Sequence, residues 1–589
     1  MDFLACLTRQ GVAPDEVRAQ LDQADSRARQ LGLARLQDHG QSIPVWVRDP
    51  RAWHVQTDAQ DRSIAVADTR KERLRGNLES ICRAPKTGPA IECAWDAPGG
   101  TVASDQVGIG TTYWRETSAA VLAASRSSYL IEPGDARLNL EAAFHFLNFS
   151  AVPTPLSIFE GVWRLAPGKM LVVGDRVEEV RFWDLEYGQG AGDDGASALR
   201  GRIRSAVATA TADLDPDVTG AFLSGGTDST TVAGFASEMF GKPLDVFSIV
   251  FDEQAYSEEP FIRAAATRFP LRIHSLTLDE NAFMAALGPV RRAYDEPYAN
   301  PSAHAAYHCC RLAHEAGKTY LLAGDGGDEI FGGNERYLKD RLLGLYGSIP
   351  ALVRSCWEMP IERWPLRSHL VNRLTKIARR ARLSNPDRFY ADMEFASAHW
   401  TALPGRRFLE QPIPADASLS LIRRIYDDCP AKDELHKLLY LDMKLAIADN
   451  DLLKVVGCSA IFGIEPRFPL LDLELVQFVN GLPAFAKLRR TQKRYLFKKA
   501  MKGYLPDQIL FKRKQGMGIP LDKWLRQSGP VATYARERFE DSSADALFDR
   551  RYLRTIWDRH QRGEWDYGED LWRMVVLIDW CACHTRGGR

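Results

Sequence analysis

No stretch of the 589 residues approaches the roughly 18 to 20 uninterrupted apolar residues that span a bilayer, which excludes a helical membrane span. Nor does the chain open on the basic end of a secretion signal; it carries Asp2 there, and the sequence reads as cytoplasmic. An excess of either charge is missing as well. Lys and Arg total 76 against 77 Asp and Glu, a balance that gives no global reason to expect nucleic acid or an anionic membrane as partner. The ten cysteines (Cys6, Cys82, Cys93, Cys309, Cys310, Cys356, Cys429, Cys458, Cys581, Cys583) include no two spaced C-x-x-C pairs, which argues for reduced thiols rather than a disulfide frame. Cys581-Ala582-Cys583-His584 is a lone terminal cluster, a pattern that rarely ligates a metal. The phosphate loop G-x-x-x-x-G-K-S/T is also lacking, because the one Gly-Lys-Thr, at 317 to 319, has Leu312 where the first glycine belongs.

What the chain does contain is length and two glycine- and acid-rich turns. It is too long for one compact core, so two large domains are expected. Residues 1 to 187 carry short apolar runs such as Pro44-Val45-Trp46-Val47, Thr101-Val102-Ala103 and Met170-Leu171-Val172-Val173 between Gly, Pro and Asp, the pattern of a β-rich unit. A glycine-rich linker follows at 188 to 196. From 197 to 589 apolar runs alternate with helix-like segments, the pattern of an α/β domain with a doubly wound parallel sheet and a helical extension.

In Ala221-Phe222-Leu223-Ser224-Gly225-Gly226-Thr227-Asp228-Ser229-Thr230-Thr231 a buried strand meets a helix through a hydroxyl, two glycines and a carboxylate. Successive glycines let main-chain N–H groups turn inward, and the first helical turn favours an anion. Leu223, Ser224, Gly225, Gly226, Asp228, Ser229 and Thr230 are therefore the candidate phosphate-binding group. The second turn is Leu321-Leu322-Ala323-Gly324-Asp325-Gly326-Gly327-Asp328-Glu329-Ile330-Phe331-Gly332-Gly333. Two such turns at the ends of neighbouring strands can hold one Mg²⁺–pyrophosphate between them, so Asp228 and Asp328 are the expected metal ligands and Gly324 joins the phosphate-binding group.

The S-G-G-x-D-S form at 224 to 229 resembles the pyrophosphate loop of ATP pyrophosphatases, and together with G-D-G-G-D-E-I-F-G-G at 324 to 333 it resembles asparagine synthetase family B. That family includes β-lactam synthetases and the macrolactam cyclases of lasso peptides. The resemblance implies ATP and Mg²⁺ as cofactors, adenine held by the strand at Ser248, Ile249 and Val250, and Asp325, where the family usually has Glu, as the base or orienter of the amine. It also assigns Lys514, in Phe511-Lys512-Arg513-Lys514-Gln515-Gly516, as a catalytic lysine on the departing pyrophosphate. Lys512 and Arg513 beside it read as a basic surface loop, and the stretches 363 to 388 and 487 to 502 as solvated faces of amphipathic helices, the first able to dock an acidic peptide or partner protein.

Two further segments are similar to the class II glutamine amidotransferase half of the family, an Ntn-type αββα domain. They are Ser104 to Trp114, like its R-D-x-x-G-x-x-P-L-Y-Y strand, and Phe159 to Met170, like its closing segment. The family's glutaminase uses an N-terminal cysteine whose own amine is the base; here Asp2 stands at that position, Ser104 replaces the Arg of the R-D pair, and Cys6 is expected inside the first strand. The domain is expected to keep its fold without glutamine hydrolysis. Residues 451 to 472 match a second signature at Lys454, Ser459, Glu465, Arg467, Pro469 and Asp472, but Val456, Gly457 and Phe462 replace an Asp-Arg pair and a His. If these line the pocket, free aspartate is a doubtful substrate; if they pack a helix, the change is neutral.

The expected function is thus an ATP-dependent, AMP-forming amide synthetase acting on a carboxylate substrate and an amine. The leading specific expectation is a lasso-type peptide cyclase, with a precursor peptide as substrate and a peptide-delivery or protease partner. Asparagine synthesis, a β-lactam or other small amide, and an inactive scaffold are the alternatives.

Overall fold

The computed structural model describes residues 2–584 except 10–11, 39–40, 49–52, 58–61, 68–89, 95–98, 133, 189–194, 253–256, 363–374, 376, 392 and 513–517. Two six-stranded antiparallel sheets are drawn from residues 3 to 181. In the first the spatial order is Trp163–Arg164, Tyr113–Glu116, Ala120–Ala124, Phe3–Thr8, Gln41–Val47, Ala34–Asp38; in the second it is Val177–Arg181, Lys169–Val173, Gly100–Ala103, Ala90–Ala94, Arg62–Ala67, Trp53–Thr57. The strand Phe3–Thr8 shows how alternation decides the layers. Phe3, Ala5 and Leu7 join Val102, Leu171 and Val173 of the second sheet in one core, while Leu4 and Cys6 face Ala24 and Ala28 of the helix Pro14–Gln30. Cys6 is buried in this strand as expected, and burial pushes its thiol up to about 12.

The segment Ser104 to Trp114 departs from expectation, because only Tyr113 and Trp114 lie in a strand. The Asp105 carboxylate accepts from the main-chain N–H groups of Val107, Gly108 and Ile109 on one oxygen and of Gly110 on the other. Those N–H groups are committed to a turn around a carboxylate and are not free for a sheet ladder.

After residue 194 the architecture changes to a five-stranded parallel sheet, here β1 (Thr219–Phe222), β2 (Leu244–Val250), β3 (Leu271–Thr277), β4 (Tyr320–Leu322) and β5 (Glu465–Arg467), in spatial order β3-β2-β1-β4-β5. Both faces are covered, which is why β2 is apolar almost without interruption. Val246 packs with Val232 and Phe235 of α1 (Thr227–Phe240), whereas Phe247 and Ile249 pack with Ala303, Ala305 and Cys309 of α2 (Ser302–Glu315). The order reverses at β1, so the crevice beyond the carboxyl ends of β1 and β4 is where a ligand is expected. Helices fill much of the remainder from 335 to 584, and none among the described residues is long and apolar enough to cross a membrane.

Buried and half-buried polar contacts join the antiparallel sheets to this half. Arg164 pairs with Asp449 at 3.2 Å, Arg126 with Asp295 at 3.2 Å, and Glu296 accepts from Ser157 Oγ at 2.6 Å and the Ile158 N–H at 2.9 Å. Burial raises Glu296 from 4.5 to about 7 despite these donors.

Candidate functional site

The turns after β1 and β4 meet at the walls of a cavity of about 590 Å³. They do so because adjacent parallel strands end at the same level, with Ala221 paired to Leu322. Their contact is closer than side chains allow: a Cβ on Gly324 would stand 2.7 Å from the Ser229 nitrogen, and one on Gly327 would stand 2.4 Å from Asp228 Cγ. The expected convergence of the two turns is therefore present.

Around the first turn, Ser224 and Ser229 hold the loop through their hydroxyls, 3.1 Å apart, and Ser229 Oγ accepts from the Ser224 N–H. Helix α1 begins at Gly226 with no side chain capping it, so its opening N–H groups face the cavity available to an anion. Leu223, Ser224, Gly226, Asp228 and Ser229 line the cavity, as does Gly324. Gly225 and Thr230 do not. Gly225 turns back with φ of 70° against Phe261 and Ile262, and Thr230 lies fully buried beneath the loop. Of the residues expected to hold adenine, Ser248 and Ile249 line the cavity and Val250 does not; Ser248 Oγ donates to Leu223 O at 2.6 Å, which ties β2 to the loop.

Asp228 and Asp328 are brought together, and the group between them is the guanidinium of Arg494. Its Nη1 donates to Asp228 Oδ1 and, at 2.9 Å, to Thr227 Oγ1; its Nη2 donates to Asp228 Oδ2 and Asp328 Oδ1. A cation thus already sits where both carboxylates point, and the donor set fits a Mg²⁺ ion.

Asp325 lines the cavity beside Lys454, whose Nζ is 3.6 Å from it and 2.8 Å from Asp451. Burial drives the Asp325 carboxyl upward and the Lys454 charge opposes that. Lys454 and Asp451 lie at the start of α3 (Leu452–Ile461), which continues a π-helical stretch, Met443–Asp451, a rare wide coil often found at functional sites.

Several site residues were misread as surface. Lys512 lines the cavity, its ammonium largely buried and paired with Glu258 at 2.6 Å, contrary to the expected surface loop. Lys493, Arg494 and Lys498, within the stretch expected to be solvated, also line it. Lys487 is buried too, and burial pulls it down to about 7. The basic residues alternate with Tyr495 and Phe497 as in any amphipathic helix, so only the fold could tell a solvent face from a cavity face. The i, i+4 spacing of Arg494 and Lys498 was the available signal. In the described part of the other basic stretch Arg379 and Arg382 are exposed as expected, whereas Arg380 and Arg388 are buried and Arg388 pairs with Asp340 at 2.8 Å. Lys514 and Arg513 lie outside the described residues.

Glu329 was passed over as well. Six acids lining the cavity are matched with cations: Asp228 and Asp328 with Arg494, Asp325 and Asp451 with Lys454, Glu258 with Lys512, Glu335 with Lys493. Glu329 faces the same space, and burial, then Asp442 and Asp451, raises it to about 8.

Val456 and Gly457 line a second cavity, of about 690 Å³, on the other side of α3 and against the N-terminal sheets. Gly457 backs onto the ring of Tyr294, and Phe462 packs on the rings of Tyr307 and His314. None of the three lines the first cavity, so their exchange leaves that pocket's charge untouched. In the second cavity the Asp2 carboxylate accepts from Arg48 Nε at 2.7 Å and Tyr129 Oη at 2.9 Å.

A family model described as asparagine synthase matches residues 198–582. Glutamine-hydrolyzing asparagine synthetase 1 of Bacillus subtilis is 25% identical over 491 residues, 81% of this chain and 74% of the relative. A putative glutamine-hydrolyzing asparagine synthetase of Mycobacterium bovis is 27% identical over 456 residues, covering 76% and 68% of the two chains. Amidase chry2 of Gibberella zeae is 23% identical over 416 residues, covering 64% and 60%.

Proposed function

The chain belongs to the asparagine synthase family, ATP-dependent ligases that form C–N bonds with release of AMP and pyrophosphate, and we propose from its site that it adenylates a carboxylate and passes the acyl group to an amine that the substrate itself carries. The observation that supports this most is the meeting of the two turns around the uncapped start of α1, with Asp228 and Asp328 converging.

In the first step a carboxylate oxygen attacks the α-phosphorus of ATP. Ser224, Gly226 and the first N–H groups of α1 receive the pyrophosphate, and Lys498, whose ammonium burial and the neighbouring Lys493 and Arg494 charges make less stable, adds a compact positive charge at the mouth. Lys514 is proposed to act on the same leaving group. Asp228 and Asp328 would hold Mg²⁺, which when bound neutralises charge on the phosphates. In the second step the amine attacks the acyl-adenylate, AMP leaves, and Asp325 orients the amine or takes its proton.

A lasso-type peptide cyclase, joining a peptide's N-terminal amine to an Asp or Glu side chain with a delivery or protease partner, is the specific reading. It is supported by the second cavity, where the Asp2 carboxylate engages Arg48 and where no cysteine is among the described lining residues. Cys6, the nearest in sequence, is buried with its thiol near 12, so it supplies no thiolate for glutamine hydrolysis. Asparagine formation from ammonia is the second reading. The relatives named asparagine synthetases favour it, as does a first cavity that keeps Lys454 between Asp325 and Asp451.

The deciding experiment incubates the full chain with ATP and candidate carboxylates and identifies the adenylate by mass spectrometry. A peptide that becomes cyclic with loss of water supports the cyclase; aspartate-dependent pyrophosphate release with ammonium supports asparagine formation. Absence of AMP and pyrophosphate with every carboxylate would overturn both.

A further inference from the structure

Arg494 is built into the carboxylate pair rather than laid across it. Its backbone is left-handed (φ 53°), which turns the side chain inward just before the helix Tyr495–Met501. The guanidinium rests over the Phe497 ring at 5.3 Å and touches Thr227, Asp228 and Asp328. Gly333 leaves the space it needs, since a Cβ there would stand 2.1 Å from Arg494 Nε and 2.0 Å from Asp328 Oδ1. Lys493 is pinned separately, donating to Gly333 O at 3.0 Å and to Glu335. The guanidinium can therefore change place without the turn that carries it.

We propose that Arg494 is a resident counter-ion, a positioning residue that holds Asp228 and Asp328 in register in the nucleotide-free protein and has to withdraw before a divalent cation can take them. Both Asp228 oxygens and one of Asp328 are engaged by it. A metal ion on the same oxygens would meet a like charge in the same volume, so the two cations exclude each other. The consequence is that the site holds a bare divalent ion poorly and takes it up together with an anion that can receive the displaced guanidinium. This inference rests on the reading of Asp228 and Asp328 as metal ligands.

The test uses Mn²⁺ alone on the full chain without nucleotide, followed by the paramagnetic resonance signal of the free ion. Wild type is expected to bind weakly, and Arg494→Gln at least about tenfold more tightly, with a lower thermal midpoint that Mn²⁺ restores. Unchanged or weaker Mn²⁺ binding in a variant with native circular dichroism would overturn the proposal. Should Arg494→Gln not fold, the wild-type protein answers by itself. Phenylglyoxal labelling of Arg494, read by peptide mass spectrometry, should rise when Mn²⁺ is added with phosphate-free buffer; labelling that stays constant at saturating Mn²⁺ would equally overturn it. Neither readout needs a substrate. An enzyme that forms pyrophosphate while Arg494→Gln leaves Mn²⁺ binding unchanged defeats this inference alone, and the expected Mn²⁺ result without adenylation of any carboxylate defeats the functional reading alone.

Discussion

Gly324 lies so close to Ser229 that a methyl group on it would stand 2.7 Å from the Ser229 nitrogen and 2.9 Å from the Asp228 carbonyl carbon. Main chain meets main chain there, and neither side has a flexible tip that can yield. Gly324→Ala is expected to cost about 1 to 3 kcal/mol by overpacking. By prising the turns apart it should also cut pyrophosphate release by about 10²-fold. Thermal unfolding and a pyrophosphate assay on the same sample check both.

Asp228→Asn removes charge without changing shape. Thr227 and Asp328 still receive Arg494, so the fold should be retained. Pyrophosphate release is expected to fall by roughly 10²- to 10³-fold. Full activity in the variant would remove Asp228 from the site.

The pair Asp325 and Lys454 is expected to separate the two half-reactions. Lys454 keeps Asp451 at 2.8 Å when Asp325 is replaced by Asn, so stability should drop by only about 1 kcal/mol. Adenylation should persist while amide formation falls about 10²- to 10⁴-fold, seen as pyrophosphate release uncoupled from amide. Lys454→Met leaves the partly exposed Asp325 and Asp451 carboxylates without their cation and, because solvent screens both, should likewise cost only about 1 kcal/mol.

Glu296 gives the junction between the sheets and the synthetase half a pH dependence. Its folded-state value is raised from 4.5 to about 7, so between those values the unfolded chain releases a proton that the folded chain keeps. Stability from this group is complete below about pH 4.5 and is lost as pH rises through 7, by about 3 kcal/mol in all. Glu296→Gln still accepts from Ser157 and Ile158 through its carbonyl oxygen. The variant's gain over wild type, followed by urea unfolding, should grow from pH 5 to pH 8, and a gain constant across that range would contradict this origin.

Local pattern made much of this legible. The strand–turn–helix at 219 to 240, the second turn at 324 to 333 and the domain-scale change from antiparallel to parallel sheets all follow from apolar periodicity and glycine placement, which act over a few residues. Ser104 to Trp114 was misjudged because Asp105 captures four N–H groups of its own loop, a competition that alternation does not display. Lys487, Lys493, Arg494, Lys498 and Lys512 were misjudged, while Arg489, Arg490, Lys499 and Lys502 are exposed as expected, because a lysine or arginine has the same local signature on a solvent face and on a cavity face.

By itself, then, the order of residues determined the two glycine- and acid-rich turns and the buried strands that carry them, since each depends on neighbours in the chain. Tertiary structure alone decided that Arg494, 166 residues from Asp328, stands between the two acids, that Lys454 is shared by Asp325 and Asp451, and that Val456 and Gly457 face a different cavity. Those facts depend on which distant groups share a low-dielectric space, and charge compensation in such a space is settled by distance through the fold rather than by distance along the chain.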